Sequence, residues 1–100
     1  MKEANQKNSI LYKILGMLIY MKFHMEDLDI GIWSIARPNI LMGLKPILSK
    51  ELIEKLSVCD ELSGLYKLAG KEPVIIVIEE CMEMVMKEIS TSKNKNIDLT

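Results

Sequence analysis

The chain has little of what most active sites are built from. It holds one histidine, His24, and two cysteines, Cys59 and Cys81, neither in a CxxC pair. Zinc and iron–sulfur sites draw on several imidazoles or clustered thiolates, so no site of that kind can be assembled from these residues. Its five glycines form no phosphate-cradling loop. Basic charge is not in excess either: thirteen Lys and Arg face fourteen Asp and Glu. That balance argues against a nucleic-acid binder, whose affinity comes mainly from neutralising phosphates. No uncharged apolar run reaches bilayer length. The most apolar early stretch, 10–23, is interrupted by Tyr12, Lys13, Gly16, Tyr20 and Lys22. The opening MKEANQKNS lacks the apolar core of a signal peptide, so the cytoplasm is the expected compartment and both thiols are expected reduced and buried, with a disulfide between their two helices as the alternative.

What is present is hydrophobic residue in helical order. Hydrophobic side chains make up 49% of the 100 residues, enough for one domain to bury a core without a disulfide or metal. The organising stretch is PVIIVIEECMEMVMKEI, from Pro73 to Ile89. Val74, Val77, Ile78, Cys81, Met82, Val85 and Ile89 recur at three- and four-residue spacing, and Ile75 and Met86 widen that stripe. Glu79, Glu80, Glu83 and Lys87 occupy the opposite arc, with Ile76 inside it. The β-branched run 74–78 leaves a buried strand as the alternative. The unbroken pattern, Pro73 at a first helical position and Glu72 at the positive end of the helix dipole favour helix.

The upstream segments supply partners for that helix. Residues 1–8 read as a flexible polar arm, and Asn8 or Ser9 caps a first helix running to about Phe23. Leu11, Ile14, Leu15, Leu18, Ile19 and Met25 form its apolar side. Gly16 in mid-helix costs about 1 kcal/mol relative to Ala, and either admits a close neighbour or is simply tolerated. Asp29 caps a short helix that ends near Arg37 because Pro38 follows. Ile30, Trp33 and Arg37 share one side of it. Trp33, the only tryptophan, is expected to anchor the core, with a partner-binding anchor as the other reading. The prolines and Gly43 within 38–48 leave room for one helical turn, at 39–44. Ser49 then caps a helix that stops at Gly70 and buries Leu52, Ile53, Leu56, Cys59, Leu62 and Tyr66. Residues 91–100 read as a polar tail. The expected fold is a single all-α domain over 9–90, a small four- to five-helix orthogonal bundle packed around the C-terminal helix.

Catalysis is not expected. Cys59 and His24 are the only materials for a thiol–imidazole pair, and nothing local brings them together. Glu79 and Glu83 share a helix face, but the second half of a di-metal carboxylate site is missing, so no cofactor is expected. The acids say more as a surface. Glu26, Asp27 and Asp29 crowd one connection, Asp60 and Glu61 lie on a polar helix side, and Glu79, Glu80 and Glu83 surround Ile76. Ordinary solubilising charge is one reading. The other is an electronegative patch with an apolar centre, suited to a basic protein partner such as a nuclease toxin, whose own cleft must attract phosphates.

The order ILGMLIYMKF, DLDIGIWSIARP, SKELIEKLSVCDEL and a closing amphipathic helix resembles a family of small, uncharacterised bacterial all-α proteins. The resemblance covers most of residues 10–90 and is carried by Gly16, Pro38, Glu51-Leu52-Ile53 and Glu61-Leu62, while Trp33 and the run 74–78 depart from the pattern. It transfers no activity and no residue role. Small, acidic, cytoplasmic helical proteins of this sort often look like immunity proteins of bacterial toxin systems. The expectation is therefore a non-catalytic protein-binding module, an immunity protein (antitoxin) that neutralises a cognate toxin domain. Its binding residues would be Ile76, Glu79, Glu80 and Glu83, with Asp60 and Glu61 as second choice. The alternative is a structural or regulatory helical subunit, a homodimer with Ile76, Met84 and Met86 in the self-contact.

Overall fold

The computed structural model describes the backbone of residues 2–98 and the side chains of residues 6–90. Among these the chain is all-α: α1 (Lys2–Phe23), α2 (Leu28–Ile35), α3 (Pro38–Leu44), α4 (Lys50–Ser57), α5 (Leu62–Ala69) and α6 (Lys71–Asp98). Single 3₁₀ turns at Met25–Asp27 and Val58–Glu61 join α1 to α2 and α4 to α5. The two long helices, α1 and α6, pack along each other, and the short ones cover them. Lys22 meets Glu79 at 2.9 Å and Lys7 meets Glu88 at 3.7 Å, so the long pair runs antiparallel. Helices α4 and α5 lie against α6, α2 bridges α1 and α5, and α3 packs on α2 and α4. The result is a slab of 49 × 25 × 19 Å.

Burial explains why the β-branched run is helical. Val74, Ile78, Cys81 and Val85 are wholly buried, facing a matching row of Leu11, Ile14, Leu18 and Met21 on α1. A period of three to four turns that row to one side of a helix, whereas a strand would send every second residue outward. The α1 stripe is rotated slightly from expectation: Met21 is buried and Ile19 is 39% exposed.

Several boundaries differ from those read in the sequence. Helix α1 starts at Lys2 rather than at a cap on Asn8 or Ser9, since Lys, Glu, Ala and Gln in that stretch are good helix formers. Helix α6 continues past Ile89 to Asp98; residues 99–100 lie outside the described chain. Asp29 is not a cap, because α2 begins at Leu28 with Asp27 before it. Instead Asp29 accepts a hydrogen bond from Ser63 on α5. Pro38 opens α3 as well as closing α2, so residues 38–44 make more than the single turn expected. The helix expected to run from Ser49 to Gly70 is broken. Ser57 donates to the Glu54 carbonyl at 2.6 Å, a back-bond that bends helices, and the weak helix formers Val58 and Cys59 follow. The tighter turn re-phases the chain so that Cys59 and Leu62 both stay buried.

Two punctuation residues behave as their chemistry demands. Gly70 has φ 87° and ψ −166°, a region open essentially to glycine alone, and its N–H closes α5 on the Tyr66 carbonyl at 2.9 Å. Ser49 accepts the Leu52 N–H at 3.2 Å and donates to Glu88 of α6, so one hydroxyl both caps α4 and ties it to the long pair. Ser49→Ala should therefore lower stability by about 1–2 kcal/mol in urea unfolding, with the m-value unchanged.

Candidate docking face on the C-terminal helix

With Val74, Ile78, Cys81 and Val85 committed to the core, the positions between them must face outward. Ile76, Glu79, Glu80, Met82, Glu83 and Met86 line one open hollow on the outer side of α6. The structure thus brings Ile76, Glu79, Glu80 and Glu83 together as the spacing implies. It also adds Met82 and Met86, which the sequence had assigned to the inward stripe. Ile76 is 57% exposed and Met86 46%.

The electrostatics of this face are milder than the acids suggest. Lys22 of α1 pairs with Glu79 at 2.9 Å and Lys55 of α4 pairs with Glu80 at 2.8 Å. Each carboxylate is half-exposed, so these pairs contribute little to stability. Their effect is positional, since they hold two acids at opposite edges of the apolar centre and offset their charge. The hydrogen bond to Glu80 raises the Lys55 pKa, keeping the ammonium charged. Glu83 makes no ion pair among the described residues. The face is an apolar centre in a rim of pinned charge, not a bare negative patch.

Asp60 and Glu61 do not join it. They sit on the 3₁₀ turn between α4 and α5, where Glu61 borders a separate hollow with Val58, Leu62, Gly64, Leu65 and Leu68. Met84 is half-buried against the core and does not line the hollow with Ile76 and Met86. Cys59 and His24 are not paired: the Cys59 thiol lies against Cys81, and the His24 ring stacks on Tyr20 at 4.5 Å.

Trp33 is a correction. It is 60% exposed, with the Arg37 guanidinium 3.7 Å from its ring centroid. The inward side of α2 is already filled by Leu28, Ile32 and Ile35, and at Gly31 it presses against Met21 too closely for a large ring. The i,i+4 spacing of Trp33 and Arg37 carried the signal, because a cation over an aromatic face is stable at a wet surface. Sequence reading also missed the outer stripe of α1. Tyr12, Ile19 and Phe23 are 48%, 39% and 70% exposed. Lys22 reaches both the Phe23 ring, at 5.5 Å, and Glu79, so the end of this stripe adjoins the α6 hollow.

Comparison with protein-family models, curated proteins and solved structures finds no match to this chain. Its own surface chemistry carries the functional reading. Among the described residues no group of three or more His, Cys, Asp or Glu is placed to hold a metal ion, and no helix is long and apolar enough to cross a membrane.

Proposed function

We propose that this chain is a non-catalytic protein-binding module that docks through the outer face of α6 onto a basic toxin domain such as a nuclease, acting as its immunity protein. The observation that supports this reading is the exposure of Ile76 and Met86 inside a rim of Glu79, Glu80 and Glu83. Contiguous apolar surface ringed by polar groups is how protein contacts are built, with the centre supplying affinity and the rim selecting the partner. A lysine- or arginine-rich cleft can meet Glu83 directly, and can take over Glu79 and Glu80 from Lys22 and Lys55 at small cost because both pairs are solvent-exposed. In this reading the chain works in the bacterial cytoplasm.

The test is titration against a basic nuclease toxin domain, taken from a neighbouring gene where one encodes it. Ile76→Ser should weaken binding about 30-fold or more without moving the melting temperature, and Glu83→Lys should reduce both affinity and its salt dependence. Asp60→Lys with Glu61→Lys should change binding little. Wild-type affinity in both α6 variants, or no growth protection on co-expression with that toxin, would remove the reading. One observation favours a second reading as a homodimeric helical subunit. The stripe of Tyr12, Ile19 and Phe23 beside the α6 hollow gives the long helix pair an apolar flank that a second copy could cover. A sedimentation run showing only monomer at high concentration eliminates it.

A further inference from the structure

Cys59, on the 3₁₀ turn between α4 and α5, and Cys81, in the middle of α6, place their sulfurs 3.6 Å apart. Both residues are 0% exposed. The Cys81 sulfur also lies 3.8 Å from the Lys55 carbonyl, so the thiols form a short chain in which Cys59 donates to Cys81 and Cys81 to the backbone. The protein-binding role of α6 does not use this pair. A metal site would need further ligands, and a hydrolytic thiol would need a base, whereas His24 is occupied with Tyr20. Two thiols in contact with no third group have one characteristic chemistry, which is two-electron oxidation.

We propose that Cys59 and Cys81 are a dithiol that closes to an intrachain disulfide when oxidised by a hydroperoxide, tying the α4–α5 break to α6. The sulfurs need approach each other by only about 1.5 Å to reach bonding distance. That approach requires rotation of the two side chains with a small shift of the 3₁₀ turn. Access follows from the same turn. Ser57, Val58, Asp60 and Glu61 around Cys59 are exposed, and the Lys55–Glu80 pair borders Cys81 at the surface. A 3₁₀ turn has weaker hydrogen-bond geometry than an α-helix, so its opening admits a molecule as small as hydrogen peroxide.

The two sulfurs have different roles. The hydrogen bond from Cys59, and after it the Lys55 ammonium, hold the Cys81 thiol below the ordinary range against the opposing effect of burial. The same hydrogen bond, with burial, pushes Cys59 up. As the acceptor of the Cys59 hydrogen bond, Cys81 is the attacking thiolate and Cys59 the resolving thiol. The Cys81 sulfur attacks one peroxide oxygen, the O–O bond breaks, and the departing hydroxide takes up a proton, leaving Cys81 as a sulfenic acid and releasing water. The Cys59 sulfur then attacks the Cys81 sulfur, the S–O bond breaks, and the oxygen leaves as a second water with the Cys59 proton. Two thiols and one peroxide give one disulfide and two waters, and the peroxide takes the two electrons.

The experiment exposes the folded chain to hydrogen peroxide, then denatures and alkylates it without reductant. The expected result is an intact monomer lighter by two hydrogens, resistant to alkylation, with a Cys59–Cys81 cross-linked peptide that dithiothreitol releases. Its melting temperature should rise by roughly 15 °C or more, as expected for cross-linking a loop of this length. In Cys59→Ser, whose hydroxyl can still donate to Cys81, a sulfenic-acid probe should label Cys81, whereas in Cys81→Ser it should leave Cys59 unlabelled. The proposal is overturned if both thiols remain alkylatable under peroxide that fully oxidises a free cysteine peptide in the same tube. It is equally overturned if the products are intermolecular disulfides or sulfinic acids. The wild-type mass and peptide map decide the outcome even if a serine variant fails to fold.

Discussion

Ile78→Ala should lower the stability of the fold by about 2–5 kcal/mol, while Ile76→Ala, two residues away, should leave it within about 0.5 kcal/mol of the wild type. Ile78 is wholly buried where α6 meets the other helices, so truncation removes apolar contact and leaves a cavity that a helix-lined core closes only in part. A domain of this size has roughly 5–15 kcal/mol of stability in all, so the loss is a large share of the margin. The melting temperature should fall by roughly 10 °C or more, and the urea midpoint should fall with an unchanged m-value. Ile76 is 57% exposed and has already been left in water by folding. Its truncation should appear in partner binding instead. Comparable stability losses in the two variants would mean that α6 sits in a different rotation, with no apolar centre in the hollow.

The register of α6 was legible because its inward residues are uniformly apolar and its outward ones mostly charged, which fixes the rotation of a helix from sequence alone. Ile76 stood out for the same reason: it was the one apolar residue on a charged arc. The pairing of Glu79 with Lys22 and Glu80 with Lys55 was not legible, because those partners come from helices 57 and 25 residues away in the chain. Only tertiary packing decides which lysine reaches which acid, and so how negative the face is. Trp33 was misplaced for a related reason. Size and hydrophobicity argue for burial on average, but α2 has eight residues and its inward side was already full. The break at Ser57 was missed because periodicity over Leu52, Leu56, Cys59 and Leu62 tolerates a 3₁₀ turn. Inward residues at spacings of four, three and three fit an α-helix and a tightened one alike.

Glycine to alanine should change stability in opposite directions at Gly16 and Gly31, although both lie inside helices. At Gly16 a Cβ meets nothing within 4 Å, and the position is exposed on α1. Gly16→Ala should stabilise by about 0.5–1 kcal/mol, chiefly by restricting the unfolded chain. The second possibility raised by the sequence, a glycine that is simply tolerated, is the one the structure bears out there. At Gly31 the close approach is real. A Cβ would fall within the Cγ and Sδ of Met21 on α1, and Met21 is wholly buried with no solvent to swing into. Overpacking of this kind costs about 1–3 kcal/mol, which exceeds the helix-propensity gain at the upper end and roughly cancels it at the lower. Gly31→Ala should therefore be destabilising by up to about 2 kcal/mol in urea unfolding. Met21→Ala alone should cost about 2–5 kcal/mol by leaving a cavity. Combined, the new methyl occupies part of that cavity and the clash disappears, so the double variant should be more stable than the two single losses imply, by about 0.5–3 kcal/mol. Strict additivity, or a Gly31→Ala variant as stabilised as Gly16→Ala, would show that α1 and α2 do not meet through this glycine.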